Sequence, residues 1–364
     1  MSEVKIKLAA GTNVGLIRQN NEDNFVVSCD LGTSEWLVPQ AGDYVDLGEY
    51  GALLTIADGM GGANAGEVAS AIAVETIQTL YIPENLTDVI SDDKKIQEFM
   101  KTVVKQADQN ILQRSKEDNS TQGMGTTIVM AWILGNKAYI CWCGDSRCYV
   151  LNRRYGLIRL SKDHSYVQEL IDKGELLPEY ASDHPLSNVL TRCLGDVDNR
   201  ANPETRVYQL HDGDTIMLCS DGLCGLCHDE QILDTMIEFR EDPMVCKNEL
   251  ISAALGNGGY DNVTVALCNI MNENEVQAEK EYSEDIHPDG KLEKAEEEDL
   301  STTIKCESIG HKSNHRGLKV LLLLLLLLGC TAVYIYFFQD YKALWQQAST
   351  MVTPYIIKVK NLIL

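Results

Sequence analysis

The chain has 364 residues, 45% of them hydrophobic, and a formal net charge of −23. This length and apolar content are enough to bury one large core or two ordinary ones. The excess of acidic residues argues against nucleic-acid binding, which depends on Lys and Arg contacts to phosphate, and it is compatible with the binding of divalent cations.

Apolar runs predict a series of β-strands in the first 270 residues. In chain order they are NFVVSCD (24–30), ALLTIAD (52–58), TTIVMAWILG (126–135), KAYICWCGD (137–145), RCYVLN (147–152), TIMLCSD (215–221) and NVTVALCNI (262–270). Apolar residues at helical spacing predict helices over 66–81, 93–117, 229–239 and 245–255. Short polar turns between neighbouring strands predict hairpins. We therefore expect residues 1–270 to form one α+β domain, a four-layer α/β/β/α sandwich of two mainly antiparallel sheets flanked by helices.

Beyond residue 270 the sequence changes character twice. Residues 271–317 are first acidic and then mildly basic, which predicts a linker. Residues 320–338, VLLLLLLLLGCTAVYIYFF, contain no charge, and their length suits a hydrocarbon core of about 30 Å, so we expect a transmembrane helix over 318–339. A buried core helix is the alternative, which the unbroken leucine run disfavours. The tail at 340–364 could lie on a membrane surface or pack against a partner.

Twelve cysteines are scattered along the chain, and the close pairs are Cys141/Cys143 and Cys224/Cys227. Because both pairs lie in apolar runs, buried reduced thiols are favoured over a redox or zinc motif. The N-terminal sequence MSEVKIKLAAG does not resemble a secretory signal peptide. We therefore expect a single-pass protein of the cell membrane with its globular domain in the cytoplasm.

Four aspartates stand at or just beyond the ends of apolar strands: Asp58, Asp145, Asp221 and Asp261. Carboxylates that converge repel one another, and divalent cations relieve that repulsion. All-oxygen ligation without His or Cys is typical of Mg²⁺ or Mn²⁺ rather than Zn²⁺. The alternative is a set of independent caps and turn residues, with Gly59 supplying a turn conformation.

One cation stands near these acids in the sequence, in the stretch GLIRQNNEDNF. Arg18 lies five residues before Asp23, with Glu22 between them. A guanidinium group can hold a phosphate through paired N–H donors. A surface salt bridge is the alternative role for this arginine.

Short motifs follow one another along residues 5–270: R-x-x-N-E-D (18–23), D-G-M-G-G (58–62), G-T-T (125–127), G-D-S-R (144–147), D-H-S (163–165), L-T-R-x-L-G (190–195), S-D-G-L (220–223) and D-N-V-T (261–264). In this order they resemble the PPM-type, or protein phosphatase 2C, family of metal-dependent Ser/Thr phosphatases, in its bacterial-like branch. Animal members of the family usually carry His where this chain has Met60, so the resemblance leaves the proton of the leaving group without a donor.

The resemblance implies two Mn²⁺ or Mg²⁺ ions and a third, weaker one. Asp58 would bridge two ions, the Gly59 carbonyl would bind one of them, and Asp221 and Asp261 would bind the other. Asp145 would hold the third ion together with Asp221. Hydroxide shared by the two tighter ions would attack the phosphorus of phosphoserine or phosphothreonine without a phospho-enzyme.

The resemblance also assigns roles around the metal ions. Arg18 would bind the substrate phosphate, and Glu22 and Asp23 would act through metal-bound waters. Ser146 and Arg147 would be structural, and residues 165–188 would form a flap beside the site.

Two functions are compatible with this pattern. The first is a metal-dependent protein Ser/Thr phosphatase whose partners are phosphorylated proteins, including a membrane Ser/Thr kinase and its substrates. The second is a catalytically weak, membrane-tethered module that binds phosphoproteins as a pseudophosphatase or scaffold. Such a module would normally have lost part of the carboxylate set, which is complete here.

Overall fold

The computed structural model describes residues 4–33, 35–36, 43–61, 65–181, 184–198 and 200–272. All of them belong to the first of two units into which the chain divides, residues 1–288. The expected membrane helix at 318–339, the tail at 340–364 and all but the first two residues of the expected linker lie outside the described residues. Within the part of the chain that is described, no helix is long and apolar enough to span a bilayer.

The described residues form twelve strands and seven α-helices. The strands are β1 (Val4–Asn13), β2 (Asp23–Ser28), β3 (Val45–Asp46), β4 (Ala52–Met60), β5 (Gly125–Thr126), β6 (Ile128–Leu134), β7 (Lys137–Cys143), β8 (Arg147–Asn152), β9 (Gly156–Arg159), β10 (Glu204–Gln209), β11 (Thr215–Cys219) and β12 (Val263–Asn272). The helices are α1 (Ala65–Leu80), α2 (Pro83–Leu86), α3 (Asp93–Glu117), α4 (Tyr166–Asp172), α5 (Asp221–Cys224), α6 (Asp229–Glu238) and α7 (Pro243–Gly256).

The strands build two antiparallel sheets. One has the order β3-β1-β12-β11-β8-β9, and the other has the order β10-β7-β6-β4-β2, with β5 paired to the end of β4. Every strand pair described is antiparallel, from the β1–β12 ladder to the β6–β7 hairpin. The predicted α+β sandwich of antiparallel sheets is therefore confirmed.

Three apolar clusters separate the four layers. Between the sheets, the inward-facing side chains of both pack together, among them Ile6, Leu54, Ile140 and Leu218. Outside the second sheet, α1 and α3 cover a cluster that includes fully buried Trp132. Outside the first sheet, α5, α6 and α7 cover the third cluster. Burial of apolar area in these layers supplies the main stabilisation of the fold, at about 25 cal/mol per Å² removed from water.

Helix α3 has the bounds that its apolar periodicity predicts, 93–117. Its start is fixed by Asp92, whose side chain accepts hydrogen bonds from the N–H groups of Lys94 and Lys95 at 2.8 and 3.1 Å. An N-cap of this kind satisfies donors that a helix leaves free at its first turn.

The prediction was incomplete at several strands. It did not include β1, β3, β9 or β10, and it did not separate β5 from β6. The predicted strand at 52–58 was also too short. The observed strand, β4, continues to Met60 because Gly59 and Met60 pair with β5. Asp58 therefore lies within a strand and is not a cap after it. Conversely, β7 ends before Asp145, which lies in the turn to β8, and β11 ends before Asp221, which is the first residue of α5.

Candidate active site

Four aspartates meet at the end of the sandwich where strands of both sheets begin or end. Asp58 lies near the end of β4, and Asp145 lies in the turn from β7 to β8, which joins the two sheets. Asp221 follows β11 as the first residue of α5, and Asp261 precedes β12. The carboxyl groups of Asp58 and Asp221 are hydrogen-bonding neighbours, and the charges of Asp145 and Asp261 act on this pair. The fold brings together the four carboxylates that the sequence places near strand ends.

Burial and mutual repulsion disfavour the charged forms of these groups. The pKa values of Asp58 and Asp145 lie well above the usual range, first because of desolvation and then because of the Asp221 charge. The pKa of Asp221 is also raised, by desolvation and by Asp261, although its hydrogen bond with Asp58 partly offsets this. Carboxylates behave in this way where positive charge is lacking.

The donor chemistry of the cluster fits divalent cations. Its side chains offer oxygen atoms alone, the ligands that Mg²⁺ and Mn²⁺ prefer. Because the carboxyl groups of Asp58 and Asp221 interact directly, their like charges repel, and a cation at this point would offset that repulsion. In the described ranges, however, no three His, Cys, Asp or Glu side chains are arranged so that they could hold a metal ion. The cluster thus has the donor atoms and the negative charge that these ions require, but its side chains are not arranged in a ready-made coordination geometry.

Asp58 and Asp221 are each followed by a glycine, and other backbone segments lie very close to both glycines. A Cβ atom on Gly59 would collide with the Gly66 carbonyl oxygen and would lie 2.6 Å from the Glu22 carbonyl oxygen. A Cβ on Gly222 would collide with the Asn262 carbonyl oxygen. Close backbone approach, not turn conformation, is therefore the reason for glycine at these positions.

Asp23 lies beneath the cluster, opposite Asp58 in the β2–β4 ladder. Its side chain is buried and accepts hydrogen bonds from the Ser220 hydroxyl at 2.7 Å and the Thr264 hydroxyl at 2.6 Å. Desolvation raises the pKa of Asp23 to about 7 although both hydrogen bonds act to lower it. Ser220 and Thr264 were not among the predicted site residues, although their positions beside Asp221 and within D-N-V-T could have indicated them.

Glu22 is held mainly through its backbone. Its N–H group donates to Asn262 Oδ1 at 2.8 Å, and its carbonyl oxygen accepts from Gly59 N–H at 3.2 Å and from the Ser70 hydroxyl at 2.7 Å. The Asn262 side chain also donates to the carbonyl oxygens of Val14 and Asn20, at 2.9 and 3.0 Å. Asn262, which was not among the predicted site residues, thus holds the β1–β2 loop against the start of β12.

Arg18 and Asp261 form an ion pair, with 2.9 Å between Nη2 and Oδ2. This hydrogen bond is the main reason that the pKa of Arg18 is raised. The arginine is exposed, and the carboxylates of Glu22 and Asp221 also act on its charge. The structure therefore pairs the expected phosphate-binding residue with one of the expected metal ligands.

The turn that carries Asp145 is held from both sides. His164 N–H donates to the Gly144 carbonyl oxygen at 2.9 Å, and Gly144 N–H donates to His164 Nδ1 at 3.1 Å. Arg147 donates through Nη2 to Asp163 at 2.7 Å and through Nε to both carboxylate oxygens at 3.1 Å. The Ser146 hydroxyl lies 2.7 Å from that of Thr127. These contacts give Ser146, Arg147 and the D-H-S motif the task of positioning Asp145.

The segment expected to form a flap, 165–188, is described apart from 182–183. Its base is closed by a bridge between Ser165 and Leu190 and by a hydrogen bond of 2.8 Å from Tyr166 N–H to the Val189 carbonyl oxygen. Leu177 and Tyr180 are exposed beyond α4. Because Ser165 directly follows His164, the base of this segment adjoins the Asp145 turn.

Comparison with known proteins places this geometry in a family. Residues 41–255 match the model of the protein phosphatase 2C family. The chain belongs to this family. The matched range includes Asp58, Asp145 and Asp221, whereas Arg18, Glu22, Asp23 and Asp261 lie outside it.

Bacterial members of the family are similar to this chain in sequence and structure. The serine/threonine phosphatase stp of Listeria monocytogenes is 32% identical over 259 residues, which is 70% of this chain and 92% of that protein. The crystal structure of the serine/threonine phosphatase PstP of Mycobacterium tuberculosis is 30% identical, with a TM-score of 0.60 over 73% of this chain and 98% of that one. A structure of the PstP catalytic domain in complex with two manganese ions is 29% identical, with a TM-score of 0.59 over 74% of this chain and 99% of that one.

Proposed function

We propose that this chain is a divalent-cation-dependent protein phosphatase that hydrolyses phosphoserine and phosphothreonine in other proteins. The observation that carries the proposal is the carboxyl cluster at the sheet ends, with an exposed arginine paired to one member. Membership of the protein phosphatase 2C family and the printed names of its relatives support the same activity. The complete aspartate set favours an enzyme over a module that only binds phosphoproteins.

Five residues would hold the cations. Asp58 would be shared by two ions, with the Gly59 carbonyl on one of them and Asp221 and Asp261 on the other, and Asp145 with Asp221 would hold a third, weaker ion. When bound, Mn²⁺ or Mg²⁺ ions supply positive charge beside a water molecule and the phosphoryl oxygens, and they lower the pKa of that water.

The remaining side chains act on the substrate and on the shape of the site. Arg18 would bind the phosphate of the substrate through paired N–H donors, exchanging its contact with Asp261 or sharing it. Glu22 and Asp23 would orient water around the cluster. Asp23 keeps its place through Ser220 and Thr264. Met60 has no proton to donate, so another group or water would protonate the leaving alcohol.

A covalent cysteine route is disfavoured by the state of the thiols. The ten cysteines described are free, and most are buried. Burial raises the pKa of Cys143 to about 12 and that of Cys193, which is partly exposed, to about 11. A thiol with a raised pKa is a poor nucleophile near neutral pH. Direct attack of water on phosphorus, without a phospho-enzyme, is therefore the mechanism we propose.

The decisive experiment measures release of inorganic phosphate from a phosphothreonine peptide. The full-length chain should release phosphate in the presence of Mn²⁺, should stop when a chelator is added and should recover when Mn²⁺ is restored. Peptide binding without any turnover under these conditions would instead identify the chain as a phosphoprotein-binding module.

We also propose that residues 320–338 anchor the chain in the cell membrane, with residues 1–270 in the cytoplasm. The uncharged leucine-rich run supports the anchor. Tethering would place the site near phosphorylated membrane proteins, such as a Ser/Thr kinase and its substrates.

A further inference from the structure

Three exposed apolar side chains lie beside the proposed phosphate-binding residue. Leu16 is 64% exposed, Ile17 is 69% exposed and Tyr260 is 56% exposed. We name these three residues the apolar rim. An isolated exposed apolar side chain needs no explanation, but a group of them next to a polar site suggests a contact surface.

The apolar rim is built on a fixed backbone. Leu16 N–H donates to the Gly259 carbonyl oxygen at 2.6 Å. The Leu16 side chain lies so close to Gly259 that a Cβ there would be 2.9 Å from Leu16 Cγ. The Asn262 amide holds the neighbouring Val14 carbonyl oxygen at 2.9 Å. The β1–β2 loop and the segment before β12 are therefore joined, so the backbone that carries the rim is held in place.

The apolar rim is continuous with the candidate active site. Ile17 precedes Arg18, Tyr260 precedes Asp261, and the Arg18–Asp261 ion pair of 2.9 Å joins the two segments. An extended peptide advances about 3.3 Å per residue. If the phosphate of a substrate lies at Arg18, the residues within one or two positions of the phosphorylated one can reach the rim.

We propose that the apolar rim binds an apolar side chain of the substrate polypeptide next to its phosphorylated Ser or Thr. This inference rests on the proposed phosphatase function and specifies its substrate class.

Two other occupants are less well supported. The charges that act on Arg18 are the carboxylates of Glu22, Asp221 and Asp261, which would repel an anionic lipid surface. Three side chains also cover much less than the about 800 Å² per partner that a stable dimer buries.

The test compares two phosphothreonine peptides that differ only at the residues flanking the phosphothreonine, which are Leu in one and Ser in the other. With Mn²⁺ and the full-length chain, kcat/KM should be about 3- to 10-fold higher for the Leu peptide, because a partly buried leucine contributes modest affinity. Ile17→Ser should remove most of this preference. Its effect on the Leu peptide should be at least threefold larger than its effect on para-nitrophenyl phosphate, which cannot reach the rim. Ile237→Ser is the matched control, since Ile237 is 52% exposed on α6.

Fluorescence anisotropy of both peptides separates this inference from the proposed activity. Tighter binding of the Leu peptide that Ile17→Ser abolishes would support the rim even if no peptide were hydrolysed. Equal kcat/KM and equal binding for the two peptides would overturn the rim even if phosphate were released. The inference is also overturned if Ile17→Ser leaves the peptide preference intact but abolishes dimerisation or binding to neutral vesicles.

Discussion

At the scale of single residues, Asp221 is the most demanding test of the site. Its carboxyl group contacts that of Asp58 and lies in the field of Asp261. Asp221→Asn keeps the size of the side chain but removes a charge that two ions would share, so activity should fall by about 10³-fold or more. Asp145→Asn should slow turnover and leave the two tighter ions bound. Calorimetric Mn²⁺ titration together with phosphopeptide kinetics checks this order, and near-normal metal binding in Asp221→Asn would show that the assignment is wrong.

Arg18 makes a different prediction because it is the proposed phosphate-binding residue and is also paired with Asp261, a proposed metal ligand. Arg18→Ala removes the guanidinium group that would hold phosphate, so KM should rise about 10-fold or more while kcat changes less. Since Asp261 then loses its partner at 2.9 Å, Mn²⁺ affinity should stay the same or increase. Arg18→Lys keeps the charge without the paired donors, so its KM should lie between those of the unmodified chain and Arg18→Ala. A loss of Mn²⁺ affinity in Arg18→Ala would contradict the role given to this residue.

Asp23 predicts how the stability of the metal-free chain depends on pH. Its pKa is about 7 in the folded chain and 3.8 in a model peptide, so between these values the folded chain keeps a proton that the unfolded chain loses. Stability should therefore decrease as the pH rises from 4 to 7, by up to about 4 kcal/mol from this group. Urea denaturation in the presence of a chelator should show this slope, and Asp23→Asn should reduce it. Glu241→Gln is the control, since that side chain is 94% exposed.

At the scale of elements, the junction of α5 with β12 depends on a glycine. A Cβ on Gly222 would meet the Asn262 carbonyl oxygen, which is backbone and cannot rotate away. Gly222→Ala should therefore cost about 1–3 kcal/mol and displace Asp221, lowering Mn²⁺ affinity. Gly256→Ala is the matched control: nothing lies within 4 Å of its Cβ position at the end of α7, so stability should be unchanged or slightly increased. Equal unfolding midpoints for the two variants would contradict the close contact.

At the scale of the whole molecule, the proposed anchor predicts where the activity is found. The full-length chain should sediment with membranes, and replacing four leucines in 320–338 by Asp should release it, since each charge at a bilayer centre costs about 2.5–3.5 kcal/mol. Protease added to spheroplasts should spare residues 1–270 and should cut them after lysis. Digestion of residues 1–270 in intact spheroplasts would show that the domain lies outside the cytoplasm and would contradict the proposed topology.

Local patterns were sufficient for much of the fold. The period of apolar residues predicted α3 at its observed bounds, and the polar turn between β6 and β7 predicted their hairpin. β1 was not predicted. It pairs with β12 along ten residues, and this pairing joins the two ends of the domain, which the local sequence does not reveal. The two-residue strands β3 and β5 are too short to carry a periodic signal of their own.

The four aspartates were recognisable from sequence because each stands beside an apolar run, and the ordered motifs indicated the family that the comparisons then established. The supports of the site were not recognisable. Ser220 and Thr264 hold Asp23 although they are 197 and 241 residues away from it in the sequence. Asn262 joins the β1–β2 loop to β12. Hydrogen bonds between distant segments leave no periodic pattern, because their partners become neighbours only when the sheets pack. Residue type and local order thus identify the reactive groups of this chain, whereas their distances and pKa values depend on folding, which brings carboxylates together away from water.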